Sequence, residues 1–97
     1  MTEDKIQTLH PLAGKTNKCI SATKYMFIKD ALLSILKDDE LTHREWMEKL
    51  YDRVKDDFEG GVQWYGETVK LDLEARRIIE RTGKNPERYR MVRRPGG

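Results

Sequence analysis

The sequence holds one cysteine, Cys19, in 97 residues, so no internal disulfide can form. One thiol and two widely separated histidines, His10 and His43, cannot make a conventional zinc site. No run approaches the roughly 18 to 20 consecutive apolar residues of a membrane helix. The opening Met1-Thr2-Glu3-Asp4 is acidic where an export signal is basic. These absences lead us to expect a soluble, cytoplasmic protein with neither a membrane nor a metal partner.

Catalytic patterning is equally scarce. His10 sits beside Pro11 in a predicted loop, His43 opens a predicted helix, and no nucleophile is spaced to either. The runs Asp38-Asp39-Glu40 and Asp56-Asp57-Glu59 lack calcium-loop spacing and fall where helices should end. Gly14-Lys15 lacks the second glycine of a phosphate loop. We therefore expect no enzyme, no catalytic residues and no cofactor.

What is abundant is charge. Charged and hydrophobic residues each make up 37% of the chain, and 19 Lys and Arg nearly balance 17 Asp and Glu. The balance hides an asymmetry. Residues 75–97 carry 8 basic and 2 acidic side chains, leaving 11 and 15 for residues 1–74. An acidic body with a basic end suggests an anionic partner for that end.

Residues 1–20, with Pro11, Gly14 and Lys15-Thr16-Asn17-Lys18, read as an arm or short strand and loop around Ile6 and Leu9. From Ser21 the pattern becomes helical: Tyr25, Ile28, Leu32, Ile35 and Leu36 recur at spacings of three and four. Asp38 and Asp39 oppose the helix dipole, which places the end near Lys37. Thr42 and Glu45 form a T-x-x-E capping box, with Leu41 and Trp46 placed as a hydrophobic staple. Trp46, Leu50, Val54 and Phe58 then predict a second helix over 43–58, closed by Gly60-Gly61. A third is predicted over 63–77, with Trp64, Val69, Leu71, Leu73 and Ala75 on its apolar side. Its polar face is Gly66, Glu67, Lys70, Glu74 and Arg77, with Lys70–Glu74 and Glu74–Arg77 at pairing distance. Two β-competent segments, 78–81 and 87–92, flank the turn-forming Thr82-Gly83-Lys84-Asn85-Pro86 and predict a hairpin. The fold class is thus mainly α with a small β-hairpin, residues 21–94 forming one domain and 95–97 a tail.

Three helices and a hairpin, with Glu40-Leu41-Thr42 as a short strand entering the second helix, is the order of a winged helix domain. The segment Val69-Lys-Leu-Asp-Leu-Glu-Ala-Arg-Arg-Ile-Ile-Glu-Arg81 resembles the third helix and first wing strand of that superfamily. Its members commonly carry glycine at the helix-to-strand turn, where this chain has Arg77. The helix thus ends near Arg77 or continues to Arg81. Ile6-Gln-Thr-Leu-His-Pro-Leu-Ala-Gly-Lys-Thr-Asn-Lys18 and Trp64-Tyr-Gly-Glu-Thr-Val-Lys-Leu-Asp-Leu-Glu-Ala-Arg76 resemble a family of small uncharacterised bacterial domains of the same order. This second likeness implies a single domain and brings no activity with it.

The first likeness implies DNA binding, with the third helix in the major groove and the wing on the backbone. The cations it needs are Lys70 and Arg77 on the helix, Arg81, Lys84, Arg88 and Arg90 on the wing, and Arg93 and Arg94 just after it, with Tyr65 available to stack. Against it, Glu67, Asp72 and Glu74 offset the cations of the helix itself. The balanced third helix and its wide apolar arc suit a protein-interaction module, binding a partner or a second copy.

Overall fold

A computed structural model describes residues 4–83 and 85–92. These form three helices and two small antiparallel sheets, an α+β arrangement. Strand β1 (Lys5–Gln7) pairs with β2 (Cys19–Ser21), Ile6 opposite Ile20. Ser21 then caps helix α1 (Ala22–Leu36), its hydroxyl accepting the Lys24 N–H at 3.2 Å. Tyr25, Ile28, Leu32 and Leu36 are buried at the predicted spacing.

Strand β3 (Leu41–Thr42) leads into helix α2 (His43–Val54). The capping box is complete: Glu45 N–H donates to Thr42 Oγ1 at 3.2 Å, and Thr42 N–H to Glu45 Oε1 at 2.9 Å. That bond from the Thr42 backbone holds the Glu45 carboxyl below its usual range. Trp46, Met47, Leu50 and Val54 face inward, and the Trp46 indole N–H donates to the Leu32 carbonyl at 3.1 Å. The helix stops at Val54 and does not reach 58 as predicted. Asp56 and Asp57 would lie at the negative end of its dipole, and the turn they occupy lets Phe58 stack on Phe27 and meet the edge of Tyr65. Gly60, at φ +123°, lies under these rings; a Cβ there would come within 3.1 Å of Tyr65.

Helix α3 (Val62–Ala75) ends two residues before the predicted boundary and settles the choice between Arg77 and Arg81. Arg77 N–H donates to the Glu74 carbonyl at 3.1 Å and Ile78 N–H to the Leu73 carbonyl at 2.9 Å. Together with φ +61° at Arg77, these bonds make a Schellman cap, in which an arginine occupies the left-handed position usually held by glycine. Strand β4 (Ile79–Thr82) can then start at once. It pairs with β5 (Arg88–Met91), which pairs on its other side with β3, giving the order β3-β5-β4.

The core joins Ile20, Tyr25, Ile28, Leu32, Leu36, Trp46, Leu50, Val54, Val69, Leu73, Ile79 and Tyr89. Ile35 and Phe58, expected inside, are only partly buried. Tyr51 is exposed. The larger corrections are on α3. Trp64, read as core, is 48% exposed, whereas Gly66 and Lys70, read as solvent-facing, are buried. The approach of α2 decides this: a Cβ on Gly66 would lie 2.8 Å from Leu50 Cδ2 and 2.9 Å from Met47 Sδ. With residue 66 turned to α2, Trp64 lies about 160° away around the helix and must face outward. The expected pairs Lys70–Glu74 and Glu74–Arg77 do not form, because Lys70 turns inward to other partners and Glu74 takes Arg81.

Beyond β1 the arm is fastened to α3. Leu9 N–H donates to Asp72 Oδ1 at 2.8 Å, and Asn17 Nδ2–H donates to the Leu9 and Thr68 carbonyls at 2.9 and 3.0 Å. Thr8, also buried, donates its N–H and hydroxyl to the Lys18 carbonyl.

Candidate functional site

Among the described residues, the cations singled out in the sequence do not all gather into one exposed surface. Lys70 is 4% exposed and is withdrawn from any phosphate. Its amine donates to the Tyr89 hydroxyl at 3.3 Å, sits 3.0 Å from His43 Nδ1 and lies over the Tyr89 ring. On the hairpin, Arg81 binds Glu74 at 2.7 Å and Glu87 at 2.9 Å, Arg90 binds Glu80 at 2.6 Å, and Arg88 lies 3.8 Å from Glu45. The hydrogen bond that Arg81 donates to Glu74 raises the Arg81 pKa above its ordinary value. Each hairpin arginine among the described residues therefore has a carboxylate beside it. Arg77 is exposed, and its side chain has no hydrogen-bond or ion-pair partner among the described residues. Tyr65 is half-buried, its ring edge-on to those of Phe58 and Trp64. Lys84, Arg93 and Arg94 lie outside the described residues, as does the 95–97 tail.

A different surface is left open. On α3 the exposed Trp64 and Glu67 and the partly buried Leu71 are spaced i, i+3, i+7 and therefore lie on one line. This line walls a groove of about 660 Å3 whose opposite side is His43, Arg44, Met47 and Glu48 of α2, with Asn17 and Lys18 of the arm at one side. Met47, Trp64 and Leu71 supply its apolar surface. Trp64 also begins an aromatic row that passes through Tyr65 and Phe58 to Phe27, with ring centroids 4.9, 5.1 and 5.8 Å apart.

The charges around this groove are mostly matched to one another. Arg44 Nε binds Glu48 Oε1 at 3.1 Å, and His43 Nε2 lies 3.3 Å from Glu67 Oε2. Burial, followed by the charge of Lys70, lowers the His43 pKa below its ordinary value of 6.5. Near neutral pH the ring is therefore uncharged, and its neighbours favour one tautomer: Nδ1 accepts from Lys70, which places the ring proton on Nε2, the nitrogen on the Glu67 side. Glu67 Oε1 also approaches Lys70 Nζ at 3.6 Å, which closes a three-membered network. Chemically, the groove offers apolar cover for an inserted side chain and little unpaired charge apart from Lys18.

Sequence reasoning did not single out His43, Met47, Glu67 or Leu71 as a site. The wide apolar arc of α3 is the one signal that points there, since Leu71 lies off the Val69–Leu73 stripe that the core uses. Among the described residues no helix is long and apolar enough to cross a membrane. Nor do three or more His, Cys, Asp or Glu side chains converge there in a way that would hold a metal ion.

No curated protein and no solved structure matches the chain. A family model does: described as a family of unknown function (DUF6958), it matches residues 5–89, and the chain belongs to that family.

Proposed function

We propose that this chain is a winged helix domain without enzymatic activity that binds a protein segment in the α2–α3 groove. The strand order β3-β5-β4, with β3 leading into α2 and the β4–β5 hairpin following α3, supports the winged helix part. The observation that carries the functional part is the placement of Trp64: half exposed, beside Met47 and Leu71, in a groove edged by polar and charged side chains that already engage one another. A buried aromatic or aliphatic anchor gains affinity in such a setting, because tryptophan-lined pockets are where binding energy concentrates. Clustered charge gains little, since its counter-charges are already engaged. The fitting partner is a peptide segment with a central apolar side chain and few charges.

Selection of displayed random peptides on the native protein, with counter-screening on Trp64→Ala, tests this directly. Enrichment of sequences sharing an apolar anchor, lost on a Trp64→Ala protein of unchanged near-UV circular dichroism, is the expected result. Peptides that bind both proteins equally, or no enrichment, overturn it.

Duplex DNA binding is the second reading, favoured by the unpartnered Arg77 side chain beside the wing and by the 8 basic against 2 acidic side chains of residues 75–97. It requires binding that weakens steeply with salt and is abolished by Arg88→Glu with Arg90→Glu. No binding to mixed-sequence duplex at low salt removes it.

A further inference from the structure

We infer that His43 is a proton-operated latch on the α2–α3 groove, holding the first turn of α2 to the buried amine of Lys70 when neutral and releasing it when protonated. The inference rests on the reading of the groove as a binding site and concerns its regulation.

The geometry is a closed arrangement of donors and acceptors. Lys70 Nζ has only hydrogens to give, and its neighbours are His43 Nδ1 at 3.0 Å, the Tyr89 hydroxyl at 3.3 Å and Glu67 Oε1 at 3.6 Å. A second proton on His43 turns Nδ1 from acceptor to donor. Two donors, both cationic, then face each other at 3.0 Å in a partly buried place, an arrangement with no stabilising term. Lys70 cannot leave, because its side chain is 5% exposed and lies over the Tyr89 ring. His43 can, because its side chain is 43% exposed. Glu67, already 3.3 Å from Nε2, gains a full ion pair with the imidazolium and is drawn after it. Both residues border the groove, so its edge moves with them.

The groups around the ring, Glu67 excepted, oppose its protonation. From α3, Lys70 opposes protonation and Glu67 favours it; from β4, Arg81 opposes it. From β5, Tyr89 engages Lys70 from the other side. On α2 itself Arg44 is paired with Glu48, and Lys18 borders the same groove from the arm. Burial adds to the opposition. The latch is therefore closed at neutral pH and opens below the ordinary histidine range.

The test is an NMR titration of the protein alone, following the His43 ring nitrogens, the Trp64 indole N–H and the Met47 methyl. The Nε2–H tautomer is expected at pH 7.5, with one transition centred below 6.5 that the Trp64 and Met47 signals share. Lys70→Met should move the midpoint up and Glu67→Gln should move it down, while His43→Asn should abolish the shared transition. A midpoint at or above 6.5, the Nδ1–H tautomer, or Trp64 and Met47 signals that stay flat while His43 titrates would each overturn the latch. No partner is present in this experiment. Its failure thus leaves the groove reading to the peptide selection, and failure of the selection leaves the latch to the titration.

Discussion

The hydroxyl of Tyr25 on α1 donates to the carboxylate of Asp72 on α3, 47 residues away in sequence and inaccessible to solvent. The same carboxylate accepts from Arg76 Nε at 2.8 Å and from the Leu9 backbone N–H at 2.8 Å. A single acidic side chain thus joins the arm, the first helix and the end of the third. Buried charge is tolerated only when its lone pairs are all engaged in this way.

Asp72→Ala should be among the most damaging substitutions in the chain. It strands the Tyr25 hydroxyl and the Leu9 N–H without acceptors and leaves Arg76 unpaired. The expected loss is about 3 kcal/mol, at the lower end for a broken buried pair because the arginine keeps some contact with water. A domain of this size has about 5–15 kcal/mol in all. Urea denaturation measures the loss; a change below about 1 kcal/mol would mean that the arm is not held through this carboxylate.

The same contact governs alkaline behaviour. Burial, and after it the hydrogen bond to Asp72, pushes the Tyr25 hydroxyl up to about 12 from 10. The folded state keeps a proton that the unfolded chain has lost between these values, so stability is complete below pH 10 and falls as pH rises toward 12. Ultraviolet titration should show a tyrosine step well above pH 10 that belongs to Tyr25. Tyr25→Phe should remove that step and flatten the alkaline slope of stability. Absence of a late step that Tyr25→Phe removes would contradict the contact.

Arg77→Gly should stabilise the protein. A non-glycine residue pays about 1–2 kcal/mol in the left-handed region, whereas glycine there pays about 0.5–1 kcal/mol in chain entropy. The Arg77 side chain has no polar partner among the described residues to offset its cost. The net gain of about 0.5–1 kcal/mol corresponds to a rise of a few degrees in Tm. Arg77→Ala, which keeps the Cβ, should give no such rise. Equal Tm values for the two variants would mean that residue 77 is unstrained.

The parts of this molecule that sequence made legible are those whose physics is local. The capping box of Thr42 and Glu45 needs only a three-residue spacing, and the inward line Trp46, Leu50, Val54 needs only a four-residue one. The hairpin follows from two β-competent segments about a turn. The third helix misled for a specific reason. Periodicity fixes which residues share a face, but it does not say how many neighbours cover the helix. α3 is covered by α1, α2 and the arm, so its buried arc is wide enough to take in Lys70 and Asp72, while the large aromatic Trp64 falls on what remains. A lysine can lie inside because its stem is apolar and its amine finds acceptors. Those acceptors, on His43 and Tyr89, stand 27 and 19 residues away.

The division of labour is therefore physical. Composition and short-range spacing by themselves determined a small α+β domain, its helix starts, most of its core and an acidic body with a basic end. Tertiary structure alone decided what the charges do. It set Glu74, Glu80 and Glu87 against the arginines of the hairpin and closed the His43–Lys70–Glu67 network. It also left Trp64 and Glu67 exposed on α3, with Leu71 partly buried on the same line. Charge count is a property of the chain, but screening and pairing depend on distances of a few ångströms between residues that only folding brings together.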